Sequence, residues 1–293
     1  MSFLLETIIG GLLVGTLYSL VAIGFVLVYK ASGAFNYAQG SLVLCAALTF
    51  VTLVDKAWPP LAAGAATLVL MVTVAIAIER LVLRPLINQS QVTLFMATLG
   101  LSFIIEGLSQ FFMGSTVHEL DLGVVDLPIA LGDILISRLD LIAAATAAIL
   151  VVVLSFFFNR TRIGLALRAV ADDPQAALSV GIRLNTLYRV VWGVTGFVAL
   201  VAGLLWGARQ GVQFSLTLVV LKALPVLIIG GFTSIGGAIV GGLIVGVSES
   251  LAEIYLGPLV GGSVSNWFAY VLATAFLLAR PEGLFGERAI NRV

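Results

Sequence analysis

Charge is scarce in this 293-residue chain: Lys, Arg, Asp and Glu together make up 10% of it, against about 25% in soluble globular domains. With 60% hydrophobic residues and a mean hydropathy of +1.15, the chain cannot clothe itself in polar surface. A water-soluble protein is excluded, and so is a separate soluble domain. Net charge is zero, from 15 basic and 15 acidic residues, which removes any case for nucleic acid or a polybasic lipid anchor. The single cysteine, Cys45, sits in an apolar run. One thiol excludes an intramolecular disulfide framework and speaks against a structural zinc site. There is one histidine, His118, and neither an HExxH nor a GxSxG sequence, so the base, nucleophile or ligand array of an intramembrane hydrolase is missing. The GxxxxGK[ST] loop that cradles ATP phosphates is absent too. No enzyme activity, cofactor or metal is expected.

What the chain has in abundance is long apolar runs. A membrane helix takes about 20 apolar residues, and the runs at 7–29, 38–54, 61–78, 92–113, 141–158, 190–208, 216–230, 238–256 and 264–279 are each bounded by charge, Gly or Pro. They predict an all-α polytopic membrane protein of eight or nine transmembrane helices with short loops, forming a single transmembrane domain over 1–293. The first run is too long for a signal-peptide core and no cleavage site follows it, so it reads as a retained span. The run at 216–230 is short and holds Lys222 and Pro225, which marks a broken or re-entrant segment.

Basic residues orient the spans, because cytoplasmic loops retain them. With the N-terminus outside and nine spans, the inner segments hold Lys30, Arg80, Arg84, Arg160, Arg162, Arg168, Arg183, Arg189, Arg280, Arg288 and Arg292, and the outer ones only Lys56, Arg138 and Arg209. The longest outer loop, 114–140, is acidic through Glu119, Asp121, Asp126, Asp133 and Asp140. The longest inner loop is 159–189.

That inner loop carries the most specific local signals. Asp173 before Pro174 is an N-cap followed by the residue best suited to the first helical position, and Gly181 is a natural left-handed terminator. A helix of about two turns is marginal alone and needs a partner surface. Ala176 and Ala177 are small enough to admit another backbone; the alternative is an ordinary solvated connector. A weak internal echo links the breaks GAFNYAQG at 33–40 and GGFTSIGG at 230–237, as in transporters built from repeats with broken helices.

Four ionisable residues fall inside spans: Glu106, Lys222, Glu249 and Glu253. Glu249 and Glu253, one turn apart, suit a cation relay in a secondary transporter; alternatively Glu249 neutralises Lys222 and Glu253 snorkels to the outer interface. Glycines at 230, 231, 236, 237, 241, 242 and 246 form a small-residue stripe that permits a close helix crossing. In the first break, Asn36, Tyr37, Gln39 and Ser41 either line a path for a zwitterion or cap helix ends.

The loop sequence GLALRAVADDPQAALSVGI resembles the cytoplasmic coupling loop of the permease subunits of ABC importers for branched-chain amino acids. The stretches GLLVGTLYSLVAIGFVLVYKASGAFNYAQG at 11–40, ERLVLRPL at 79–86, TLGLSF at 98–103, GGFTSIGGAIVGGLIVGVSES at 230–250 and RPEGLFG at 280–286 agree with that family in order. The resemblance implies a bacterial inner-membrane permease with alternating access, a second related permease subunit, two ATPase subunits, a periplasmic substrate-binding protein and an amino-acid cargo. It implies ATPase coupling through Arg168, Asp172, Asp173, Pro174, Ala176, Ala177 and Gly181. Tyr37 and Gln39 stand where the family usually carries Phe and His, beside the expected substrate path. Other functions in view are the secondary transporter, an ABC permease for amides or urea, and a membrane scaffold that recruits a cytosolic partner.

Overall fold

The computed structural model describes residues 2–286 apart from 34, 87, 88, 115, 125, 126 and 133. Asp126, Asp133, Arg288 and Arg292 of the charge pattern lie outside the described residues. The helices are α1 (Ser2–Ser32), α2 (Gln39–Asp55), α3 (Pro60–Ile78), α4 (Gln91–Met113), α5 (Arg138–Arg160), α6 (Arg162–Asp172), α7 (Pro174–Ser179), α8 (Leu184–Gln210), α9 (Ser215–Leu221), α10 (Ala223–Gly230), α11 (Ile235–Val260) and α12 (Ser265–Ala279). An unexpected antiparallel hairpin, β1 (Ile129–Leu131) and β2 (Ile134–Ile136), interrupts the loop before α5.

Among the described residues, six helical segments are long and apolar enough to cross a membrane: α1, α3 with its extension to Leu86, α4, α5, α8 and α11. Three shorter apolar segments, Gln39–Asp55, Ser215–Gly230 and Ser265–Ala279, coincide with the remaining expected runs. The 216–230 run is broken at Lys222, between α9 and α10. Helix starts follow from sequence. Pro60 occupies the first turn of α3, while the hydroxyls of Ser90 and Ser234 accept from the amides of Thr93 and Gly237 to cap α4 and α11.

The chain divides into two compact units, Met1–Val26, Gly123–Val152 and Lys222–Val293 in one, Leu27–Leu122 and Val153–Leu221 in the other. In the first, the glycine stripe finds its partner in α1. A Cβ on Gly15 would lie 2.8 Å from the Gly242 carbonyl oxygen, and one on Gly11 2.7 Å from Val247 Cα. The two helices therefore meet main chain to main chain, the geometry small residues permit in a membrane. Ser19 Oγ adds a bond to the Ile239 carbonyl at 3.1 Å. On the other side of α11, a Cβ on Gly241 would meet the Val226 carbonyl of α10 at 2.5 Å. The RPEGLFG stretch finishes α10: the amides of Leu284 and Phe285 donate to Ile229 and Gly230 carbonyls at 2.7 and 3.1 Å, satisfying acceptors that a helix end leaves open.

In the second unit, α2 is the central helix, buried at nearly every position from Gln39 to Val51 and surrounded by α3, α4, α8 and α9. Close approach again rests on glycine: a Cβ on Gly203 of α8 would stand 2.6 Å from the Val43 carbonyl, and one on Gly196 2.8 Å from that of Met71 in α3. His118 Nδ1 lies 3.3 Å from Asp55 Oδ2, and its main chain pairs with Val212. That contact ties the end of α2 to the segments following α4 and α8.

Candidate functional site

The first break runs from Gly33, in a positive-φ conformation at +67°, to the start of α2. Thr98 of α4 holds it: its hydroxyl accepts from the Tyr37 amide at 3.2 Å and lies 3.2 Å from the Phe35 carbonyl. The Tyr37 ring stands edge-on to Phe95 of the same helix, centroids 5.8 Å apart. Asn36 and Gln39 are 1% and 0% exposed, and Asn36 Nδ2 donates to Gln39 Oε1 at 3.3 Å. Beyond that bond, Asn36 Oδ1 and Gln39 Nε2 are buried with no partner. Buried polar atoms are nearly always paired. The pair thus presents one open acceptor and one open donor at a helix break.

Capping does not account for these side chains at α2. Its N-cap is Ala38, with no side-chain bond, and the Ser41 hydroxyl is spent on the Ala38 carbonyl at 2.9 Å. Of the four sequence candidates, Asn36 and Gln39 are brought together, Tyr37 faces α4, and Ser41 is satisfied locally.

The 159–189 loop is more structured than its sequence suggested. Besides α7 it contains α6, an amphipathic helix capped by Thr161, whose hydroxyl accepts from the Gly164 amide at 3.2 Å, and burying Gly164, Leu167 and Val170. Arg168 is turned back onto the end of α5, donating to the Asn159 carbonyl at 3.3 Å. Asp173 Oδ1 accepts from the amides of Gln175 and Ala176 at 2.8 and 3.0 Å. At the far end, Gly181 at φ +86° and Ile182 donate to the carbonyls of Leu178 and Ala177 at 3.0 and 3.1 Å, a Schellman closure. The backbone of Pro174 opens α7 at its first turn.

Ala177 is 3% exposed and packs within the chain. Gln175, Ala176, Leu178, Ser179 and Val180 are exposed, Leu178 and Val180 at 54% and 76%. Asp172 is exposed beside the helix. Nothing in the spacing of six residues says which one turns inward, and that is why the small residues drew attention and Leu178 and Val180 did not.

The intramembrane charges are engaged. Lys222 Nζ and Glu249 Oε1 form an ion pair, both side chains largely buried. Glu253 accepts from the amides of Ser263 and Ser265 at 3.0 and 2.6 Å, so it anchors the turn into α12. Ser102 donates to Glu106 at 3.4 Å. Among the described residues, no three His, Cys, Asp or Glu side chains converge to hold a metal ion.

Long apolar helices, charges neutralised from within and polar atoms gathered at a helix break define a helical, multi-pass membrane protein. The model of the family described as branched-chain amino acid transport system, permease component, matches residues 7–280, and the chain belongs to that family. It is 29% identical to the high-affinity branched-chain amino acid transport system permease protein BraD of Pseudomonas aeruginosa, over 99% of this chain and 98% of that one. It is 27% identical to the corresponding LivH of Escherichia coli over the same shares. Identity to the probable branched-chain amino acid transport permease protein LivH of Methanocaldococcus jannaschii is 30%, over 94% of this chain and 91% of the relative.

Proposed function

We propose that the chain is the permease subunit of an ATP-driven importer for branched-chain or related amino acids, seated in the inner membrane with its N-terminus outside. The observation that carries this is the family match across 7–280, joined by relatives of the same named activity over nearly their whole lengths. The whole chain acts as one transmembrane domain whose nine apolar helical segments make eight or nine crossings. It hydrolyses no ATP itself. Two separate ATPase subunits drive it, a second related permease completes the pathway and a periplasmic binding protein delivers the amino acid.

The coupling element in this reading is α7 with its caps, Asp173 and Gly181. Exposed Leu178 and Val180 supply the apolar contact and Asp172 its polar rim. Arg168 and Ala177 support it from within by fastening the loop to α5 and filling the chain's own packing. The path for the zwitterion includes the open acceptor of Asn36 and the open donor of Gln39, with Tyr37 and Ser41 at its margin. A proton relay through Glu249 and Glu253 has less support, since one carboxylate is paired with Lys222 and the other with two amides.

Reconstitution with the ATPase subunits and binding protein tests the function. Leucine is expected to stimulate ATP hydrolysis and to accumulate in the vesicles. Stimulation by urea or a carboxamide but not by leucine moves the substrate class, and accumulation driven by a pH gradient without ATP overturns the energy source. Leu178→Arg tests the docking face: the ATPases should no longer co-purify while the permease still inserts.

A further inference from the structure

The ERLVLRPL stretch has no part in the functions above, yet it contains an unusual local arrangement. Glu79 is buried, its side chain 2% exposed, at the point where α3 gives way to a π-helical turn over Glu79–Leu83 and a 3-10 turn over Arg84–Leu86. Arg84 clasps its carboxylate with Nε at 3.0 Å and Nη2 at 2.7 and 2.9 Å. Residues five apart in an α-helix point about 140° away from each other around the axis, given 3.6 residues per turn. The wide turn removes that offset, and the Arg84 amide also donates to the Glu79 carbonyl. Ion pair and π-turn occur together: Pro85, which has no amide to donate and crowds the carbonyl four residues back, breaks the regular winding, and the bidentate bridge clasps the turn across the break. Turns of this kind are rare and frequently occur at functional positions. A buried ion pair adds little net stability over an apolar equivalent, so stability alone is a weak reason to keep it.

Its neighbours give it a purpose. The π-turn packs against α8 and α4. On α8, Tyr188 is buried. Tyr188 sits one turn into a helix whose start, Leu184, follows the Gly181 closure of α7 by three residues, and α6 rests on α8 as well. The elbow, through α6, and the π-turn thus both lie against α8.

We infer that Glu79 and Arg84 are positioning residues for energy coupling, holding the π-turn through which movement of the elbow reaches the connection from α3 to α4. This rests on α7 being the ATPase contact. Released from the bridge, the turn at Pro85 loses the side-chain clasp that makes it rigid.

The test uses the complete importer in liposomes, with Glu79→Gln, Arg84→Lys and, in parallel, Leu178→Arg. For each, ATPase co-purification, ATP hydrolysis and leucine uptake are measured. In Glu79→Gln the ATPases should stay bound and hydrolysis persist, while leucine carried per ATP falls about tenfold, within the span of ordinary coupling interactions. Arg84→Lys, which keeps the charge but loses the fork, should fall between that and the parent protein. An unchanged ratio in an assembled Glu79→Gln complex overturns the inference. So does a Glu79→Gln chain that fails to insert beside an Arg84→Lys chain that couples normally, because the pair then serves folding alone. Uptake and hydrolysis falling in proportion also points to mere structural loss and counts against it. Retention of the ATPases by Leu178→Arg would instead sink the docking face, an outcome read separately from the coupling ratio.

Discussion

The two helix breaks that open alike in sequence are closed in opposite ways. At the second, every strong polar demand is met by the chain itself: Ser234 caps α11, the amides of Leu284 and Phe285 finish α10, and Lys222 at the head of α10 pairs with Glu249. At the first, Thr98 fixes the backbone but two buried amide atoms, Asn36 Oδ1 and Gln39 Nε2, are left open. Leaving such atoms unpaired costs about 1–3 kcal/mol each, so the break gives up stability that its counterpart keeps. The closed break has the bonding of a joint, while the open one keeps hydrogen-bonding capacity that the proposed solute path would use.

The contrast is broken most forcefully at Lys222. Lys222→Met strands the Glu249 carboxylate and should destabilise the protein by about 3–5 kcal/mol, while Lys222→Met with Glu249→Leu should recover most of that; thermal unfolding in detergent reads both. If the single variant is as stable as the parent, the second break is no joint. Next in size is Gly237→Val, which drives a side chain against the Gly230 main chain and should cost about 1–3 kcal/mol by overpacking, seen in the same melting experiment. Gln39→Leu sharpens the other side. The change removes the unpaired donor Nε2 but also the Oε1 that accepts from Asn36, so the two effects offset and stability should shift by no more than about 1 kcal/mol, while leucine uptake by the reconstituted importer drops. A loss of stability with normal uptake would reverse the assignment. Thr98→Val removes one hydroxyl anchor and should lower stability by about 1 kcal/mol, with a modest effect on uptake.

Much of this was legible in the sequence, and for identifiable reasons. The apolar runs located all nine apolar helical segments because lipid-length hydrophobicity is a local property. Asp173, Pro174 and Gly181 announced α7 because caps act over a few residues. Lys222 and Pro225 marked the break in 216–230. Three things were hidden. The glycine stripe of α11 advertised a close crossing but not its partner, since spacing defines a face and only topology supplies α1. The amphipathic helix α6 was masked by its own charges, which read as a solvated loop. The π-turn at Glu79–Leu83 was not read from the sequence: Pro85 signals that regular winding ends nearby, but not that the turn before it widens or that Arg84 reaches back to Glu79.

The α1–α11 crossing has a consequence for how the protein is made. Ser19 and Ile239, which bond across it, are 220 residues apart. Spans enter the bilayer in the order of translation, so the glycine face of α1 must wait beside lipid until α11 emerges. Contacts of such long sequence separation form late and slowly. During that interval nothing native covers the notch formed by Gly11 and Gly15. Biogenesis of this permease is therefore expected to include an interval in which its first helix is inserted but unassembled, and substitutions in that notch should reveal themselves as accelerated degradation of nascent chains before any defect in the mature protein is measured.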